Sequence, residues 1–335
     1  MTLKKKWFML KKLGNDIFRS QEIYEVGCDL TSEKLGNYYF IFEEDFKKLN
    51  KLLTKFDQDG IPLNTSYIDV ETPRLHYYPI SIGQYGLAVF HSFLKTGQAD
   101  KRAHFLRIAD WFAKNAVLDE KLGAYWLTDV PKPEYQIEKP WKSAFAQSRA
   151  ISVLLRAWQL TGNSLYLEMA AKALQPFQFD ITEGGVTANL KIGWPFYEEY
   201  VATEPTMVLD GHIFSLFGIF DFVRSVTQES NRKAHESAQK LFEEGVESLL
   251  NWLPEYDMGF WVRFNFCQMK HYPRVDPCTI GYLRLIVAQL KILYHITGRA
   301  NFLVYSEKFS KYDRLVNILR MYLIKHKALK KLNRI

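Results

Sequence analysis

The sequence has only three cysteines in 335 residues, and Cys28, Cys267 and Cys278 show no metal-ligand spacing. Their odd number argues against a disulfide framework. No uninterrupted apolar run is long enough to span a bilayer. The basic start MTLKKKWFMLKKLGND holds only the short apolar stretch WFML, with no small-residue cleavage site after it, so no signal peptide is expected. These absences predict a cytoplasmic globular protein. Neither a glycine-rich phosphate loop nor a nucleophile elbow occurs. No metal and no cofactor are expected.

The net charge of +7 is concentrated at the two ends. Lys4, Lys5, Lys6, Lys11 and Lys12 make the head basic, and Lys325, Lys327, Lys330, Lys331 and Arg334 do the same for the tail. Without them the body is slightly acidic, which excludes a nucleic-acid surface there. In the head, Leu3, Trp7, Leu10 and Phe18 stand among lysines, a pattern suited to an anionic membrane surface. Two solvated, frayed ends are the alternative. Peripheral contact with the inner membrane through the basic termini therefore stays open.

A Thr-Gly-like stop recurs at Thr96, Thr161, Thr227 and Thr297, separated by 65, 66 and 70 residues. In three of the four cases a glycine follows, a helix C-cap signal. The spacing fits a unit of two helices plus a long loop. The helices before the stops, such as SRAISVLLRAWQL and YLRLIVAQLKILYHI, are apolar on most sides and should be inner. Those after the stops are amphipathic and should be outer. The prediction is a mainly α protein: an incomplete (α/α) barrel of inner and outer helices, with short β-hairpins and a small irregular N-terminal region. The expected organisation is an extension over 1–75, the barrel over 76–320 and a basic C-terminal tail over 321–335. Within the extension, NYYFIFEEDF reads as a short strand or hairpin and GIPLNTSYIDVETPRLHYYP as an extended loop. Short β-ribbons are expected at Gly123 to Val130, Gly184 to Ile192 and Asp257 to Phe266.

The segments before each inner helix are RLHYYPISIGQYG, EKPWKSAFAQSRA, PFYEEYVATEPTMVLDGH and KHYPRVDPCTIGY. All are rich in aromatic and polar residues, which suits sugar rings with apolar C–H faces and many hydroxyls. They nominate Tyr78, Gln84, Tyr85, Trp141, Lys142, Gln147, Arg149, Glu198, Glu199, Tyr200, His212, Tyr272 and Arg274, with Arg263 as a further cation for an acidic sugar. Packing of the barrel mouth by the same aromatics is the alternative, as are a core role for His212 and surface salt bridges for Arg263 and Arg274.

HYYPISIGQYGLAVF, WKSAFAQSRAISVLLRAWQLTG, EEYVATEPTMVLDGHIFSLFGIFDF and YLRLIVAQL together resemble the C-terminal catalytic domain of the D-glucuronyl C5-epimerases. The resemblance runs from about Tyr77 to Phe309. It implies an (α/α) barrel and an isomerase that converts D-glucuronate to L-iduronate within heparosan-like polysaccharide chains, in glycan biosynthesis. C5 inversion removes a proton beside a carboxylate and returns one to the opposite face, so two acid/base groups and a cation or donor for the carboxylate are required.

Matched to the family's EEY motif, Glu199 and Tyr200 are implied to be catalytic. Matched to its tyrosine at the head of the last inner helix, so is Tyr282. The family's two histidines there are Leu283 and Ile286. Its third tyrosine, in a YDL motif, falls on Phe264, with Asn265 in place of Asp and Cys267 where animal members carry arginine. Tyr272, His271 or Asp276 can stand in. A polysaccharide lyase, a glycoside hydrolase using Glu198 or Glu199 with Asp276 or Asp210, and a non-catalytic glycan-binding homologue stay open beside the epimerase. The expected partner is an acidic, uronate-containing glycan, with the family's homodimer left open and no nucleic acid.

Overall fold

A computed structural model describes Gly14 and residues 24–44, 53–65, 74–190 and 193–334. The basic head, with its Leu3, Trp7, Leu10 and Phe18 pattern, lies outside the described residues.

Eight helices alternate between two layers. The inner ones are α1 (Pro79–Thr96), α3 (Ala144–Thr161), α5 (Leu209–Ser225) and α7 (Ile280–Thr297). The outer ones are α2 (Ala99–Asn115), α4 (Ser164–Lys172), α6 (Gln228–Tyr256) and α8 (Ala300–Ser310). Each inner helix packs on the next, α1 on α3, α3 on α5 and α5 on α7, and each is backed by the outer helix that follows it. This is an incomplete (α/α) barrel. The layering follows from composition. In α5 nearly every residue is buried, including Ile213, Leu216, Phe217 and Ile219. Burying each such side chain stabilises the fold by about 1.5–3 kcal/mol. In α2 only Phe105, Ile108, Ala109 and Phe112 are buried, one stripe of an amphipathic helix.

The recurring Thr-Gly pair ends three inner helices by one mechanism. Thr96, Thr161 and Thr297 each donate a side-chain hydrogen bond to the carbonyl four residues back, at 2.6–2.8 Å, and accept the N–H two residues on. The next residues, Gly97, Gly162 and Gly298, have φ of 68–72°. That is the left-handed conformation glycine adopts without penalty. The fourth stop differs: Thr227 caps the start of α6, its side chain accepting from Ser230 N.

Short antiparallel pairs decorate the helix ends. β1 (Leu53–Phe56), β2 (Pro62–Thr65) and β3 (Leu75–Tyr77) form one sheet in that order. Leu63 stands opposite Tyr77 in it. Part of the stretch read as an extended loop is therefore strand, satisfied by pairing on both sides of β2. β4 (Val117–Asp119) pairs with β5 (Gly123–Tyr125), and β6 (Thr187–Asn189) pairs with β7 (Pro195–Tyr197). The ribbon expected over Asp257 to Phe266 is instead a set of isolated bridges, Asp257 to Val262, Arg263 to Pro277 and Asn265 to Val208. Its backbone groups are divided between one bridge within the stretch and two outside neighbours, Pro277 and Val208, rather than one partner strand. Among its described residues, NYYFIFEEDF likewise pairs at the isolated Val26–Phe40 bridge and forms no ribbon.

The 24–44 segment runs along the inner helices. The Tyr24 hydroxyl donates to Gly281 O at the head of α7, and the Tyr39 ring stacks on Phe217 of α5 at 4.4 Å. Further down, the Tyr39 hydroxyl, Arg156 of α3 and Arg224 of α5 converge on the buried carboxylate of Asp221. Residues 321–331, read as part of a basic tail, are the later turns of a ninth helix, α9 (Leu315–Lys331). It buries Ile318, Met321 and Ala328. Among the described residues no helix is long and apolar enough to cross a membrane.

Candidate functional site

The inner helices begin at one end of the barrel, and the loops that precede them meet there. Three consecutive polar residues, Glu198, Glu199 and Tyr200, follow directly on β7 and enter this mouth where the chain bends. The main chain at Glu198 is pinned on both faces, its N–H donating to Val186 O and its carbonyl accepting from Ala144 N, both at 2.8 Å. The Glu198 carboxylate turns into its own loop. It accepts from Thr206 N, Thr206 Oγ1 and Met207 N at 2.6–3.0 Å. This holds Met207 at a φ of 50°, which non-glycine residues seldom adopt. Glu198 therefore shapes the loop instead of presenting its oxygens to a ligand.

Glu199 faces the first turn of α5. Gly211 makes room for it, since a Cβ there would lie 2.5 Å from Glu199 Cβ and 2.6 Å from its Oε2. Asp210 is the next carboxylate. Burial raises the pKa of both groups, and the charge of Glu199 raises that of Asp210 further. A hydrogen bond from Tyr200 and the charge of Lys132 pull Glu199 back down, whereas Asp210 has only a backbone contact to do so. Asp210 is therefore the carboxyl that keeps its proton, and Glu199 the one that ionises first. Asp210 Oδ1 and Gln289 Oε1 are buried without a partner among the described residues, and Gln289 donates to Asp210 O at 3.1 Å.

Tyr200 stands in a wall of aromatic rings. It stacks on Tyr135 at 5.3 Å, and Tyr135 stacks on Tyr272 at 5.4 Å. Trp141 leans on Tyr200 at 5.1 Å, and Tyr78 meets Trp141 edge-on. Lys132 Nζ lies 4.2 Å from the centre of the Tyr200 ring and 3.2 Å from Glu134 Oε1. Asn265, in the altered YDL-like position, donates to the hydroxyls of Tyr135 and Tyr272, each at 2.8 Å. Tyr272 in turn donates to Asp276 Oδ2, and Lys325 of α9 pairs with Asp276 Oδ1 at 2.6 Å. Burial first, then Tyr272 and Glu134 for Tyr135 and Asp276 for Tyr272, keep both phenols firmly protonated.

Tyr282 is 39% exposed on the first turn of α7, its ring edge-on to Phe264 at 5.3 Å. Phe264 O accepts from Leu209 N at the head of α5, so Tyr282 stands on the rim of the same mouth. Arg263 bonds Arg274 O at 2.7 Å, while Arg274 itself is exposed. His271 bonds Glu134 O at 3.0 Å. Gln84 is half-buried on α1.

Other nominated residues are directed elsewhere. Gln147 is consumed by the main chain, donating to Ala124 O and Ala173 O and accepting from Trp126 N. His212 accepts from Tyr197 N and bonds Gly245 O, and burial lowers its pKa to about 4, so it is a neutral core histidine. Tyr85 packs on Phe56 and on His104 of the outer helix α2. Lys142 lies over the Tyr125 ring at 4.2 Å. Arg149 is fully buried among Tyr38, Phe42, Phe145 and Phe214, its guanidinium 4.5–5.3 Å from each ring. Sequence reasoning missed Lys132 and Tyr135. The aromatic-basic run VPKPEYQIEKPW was the available signal, since it leads into α3 as the other loops lead into their helices.

The site can thus hold one ionisable carboxylate, a phenol bonded to it and an ammonium against that phenol's ring. The family model described as D-glucuronyl C5-epimerase C-terminus matches residues 121–311, which include Lys132, Tyr135, Trp141, Glu199, Tyr200, Asn265, Tyr272 and Tyr282. The chain belongs to this family. Among relatives of this family member is a D-glucuronyl C5-epimerase of Caenorhabditis elegans, 36% identical over 174 residues, 49% of this chain and 27% of that protein. An uncharacterized protein of Methanocaldococcus jannaschii is 28% identical over 203 residues, 58% of this chain and 61% of the archaeal one. The chain thus spans about a quarter of the nematode relative and three fifths of the archaeal one. In fold, the epimerase-family chain is similar to cellobiose 2-epimerase from Spirochaeta thermophila. The TM-score is 0.51 at 14% identity, over 79% of this chain and 65% of that one.

Proposed function

We propose that the protein is a carbohydrate epimerase that inverts D-glucuronate to L-iduronate at C5 within an acidic glycan. The observation that carries this reading is the burial of Glu199, Tyr200 and Lys132 together at the barrel mouth, inside the span that matches the family. In this reading the phenol of Tyr200 passes its proton toward Glu199, and Lys132 over the ring favours the resulting phenolate. The phenolate takes the C5 proton on one face of the sugar. The electron pair left at C5 spreads into the sugar's carboxylate, whose charge Lys132 and Lys325 offset. Tyr282, on the rim, returns a proton to the opposite face; solvent then reprotonates Tyr282 and takes the proton from Glu199, which restores the starting state. The hydroxyl absent at Phe264 is not needed in this scheme, because Tyr200 and Tyr282 supply both proton-transfer groups, while Tyr135 and Tyr272, bonded by Asn265, form the wall behind Tyr200.

The test is deuterium uptake. The protein is incubated in deuterated water with heparosan and with other uronate-containing glycans, and the C5 signals are followed by NMR. Uptake with new iduronate signals, lost in Tyr200→Phe and Tyr282→Phe, is the expected result. Absence of exchange on every uronate glycan while binding persists would sink the epimerase reading. It would favour a glycan-binding homologue, the reading that Phe264 supports. A new ultraviolet-absorbing double bond would instead mark a lyase.

A further inference from the structure

α9 has two faces with different demands. Its inward face is held to the barrel mouth by Ile318, Met321 and Ala328, by Lys325 on Asp276 and by Lys331 Nζ donating to Tyr272 O at 2.7 Å. Just beyond the helix, Arg334 pairs with Glu134 at 3.5 Å. These contacts suffice to seat the helix. Its outward face is nonetheless apolar in its first half. Leu315 is 55% exposed, Val316 76%, Leu319 46% and Leu323 69%. Val316, Leu319 and Leu323 recur at helical spacing and so line one stripe. The outward face of the second half carries His326, Lys327 and Lys330, all exposed. The helix holds five basic residues, Arg320, Lys325, Lys327, Lys330 and Lys331, and not one Asp or Glu.

We propose that the outward face of α9 docks the barrel mouth on an anionic lipid surface. An apolar stripe beside lysines lies in the plane of a charged interface, its apolar side chains among the acyl chains and its cations at the headgroups. A second copy of the chain fits the stripe less well, because pairing two α9 helices brings like charges together with no acid on either to offset them. The orientation has a consequence for the site. Since the inward face of α9 touches Tyr272 and Asp276, the bilayer lies about one helix diameter, ~10 Å, from the aromatic wall. A glycan still attached to a lipid carrier is then presented at the height of Tyr200 and Glu199. The docking itself is independent of the reaction and is read without substrate.

The experiment is co-sedimentation of the full chain with vesicles of phosphatidylcholine alone and of phosphatidylcholine with about one third phosphatidylglycerol. Binding to the anionic vesicles only, weakened by added salt, is expected. Lys327→Gln with Lys330→Gln should weaken it about twenty-five-fold, at about fivefold per lysine. Leu319→Asp with Leu323→Asp should weaken it by tenfold or more. A solvatochromic probe on Leu323→Cys, in a Cys28→Ser and Cys267→Ser background, should shift to shorter wavelength on anionic vesicles, which reports the helix directly if a double variant folds poorly. Four results would each overturn the proposal: no vesicle binding, equal binding to neutral vesicles, undiminished binding of both double variants with an unshifted probe, or a concentration-dependent dimer that these variants abolish in the absence of vesicle binding.

Discussion

Asp221→Ala removes the carboxylate at the centre of a buried cluster of three elements. In the native protein Asp221 Oδ2 accepts from Arg156 Nη1 at 2.7 Å. Its Oδ1 accepts from Arg224 Nη2 at 2.7 Å, from Arg224 Nε at 3.1 Å and from the Tyr39 hydroxyl at 3.0 Å. Burial alone would raise the Asp221 pKa, but the two guanidinium groups outweigh it and hold the carboxyl below its usual range. The variant leaves two buried cations facing each other. Breaking such a group by deleting one partner costs about 3–5 kcal/mol. Arg156 keeps Gly36 O and Ser152 O, and Arg224 keeps Asp29 O and Ser32 O, so we expect the low end of that range, about 3 kcal/mol. Against a typical total of about 5–15 kcal/mol this is a large fraction. Urea unfolding followed by far-ultraviolet circular dichroism reads it. Tyr39→Phe, which removes one hydrogen bond to the same carboxylate, should lose about 1.5 kcal/mol. Because the arginines also hold the carbonyls of residues 29–37, Asp221→Ala should open the 24–44 segment to protease. A loss below about 1 kcal/mol, or one no larger than that of Tyr39→Phe, would refute the view that a buried charge balance fixes this segment.

Gly211→Ala should abolish deuterium exchange on a uronate glycan, because its methyl occupies the space of the Glu199 side chain, with a stability loss of about 1–3 kcal/mol by overpacking. Full exchange in this variant would remove Glu199 from the mechanism. Burial pushes the Glu198 carboxyl up to about 7 against the pull of its Thr206 and Met207 donors. A raised folded pKa gives stability that is fully present below the unfolded value of 4.5 and is lost as pH rises through about 7. Urea unfolding from pH 4.5 to 8 should therefore show a fall that is about 3 kcal/mol shallower in Glu198→Gln, and identical slopes would contradict it. Lys325→Met removes the cation paired with the buried Asp276 beneath Tyr272, so KM for an acidic glycan should rise several-fold and stability should fall as the carboxylate is left uncompensated; an unchanged KM would take Lys325 out of the site.

Much of the scaffold was legible along the chain because its causes are local. A threonine that bonds back one turn and a glycine that tolerates positive φ end a helix wherever they occur, so Thr96, Thr161 and Thr297 marked helix ends in advance. All-round apolarity likewise distinguished α5 and α7 from α2. The clustering of Glu198, Glu199 and Tyr200 before an inner helix was readable too, since neighbours in sequence stay neighbours in space. What each then does was not. Adjacent carboxylates, Glu198 and Glu199, look alike in sequence, and only the donors of Thr206 and Met207 on one side and the space left by Gly211 on the other separate them. Gln147 and His212 are polar residues beside a predicted mouth, yet backbone carbonyls brought in from distant elements hold both in the core. The aromatic wall joins Tyr135, Tyr200 and Tyr272, and no local rule links positions so far apart. The basic end of the chain looked like a tail because its lysines face no acid in sequence. Tertiary structure supplies Asp276, and with it a helix laid across the mouth. Local conformational preference is written residue by residue, whereas the partner of a buried charge is chosen by whatever the folded chain carries to it.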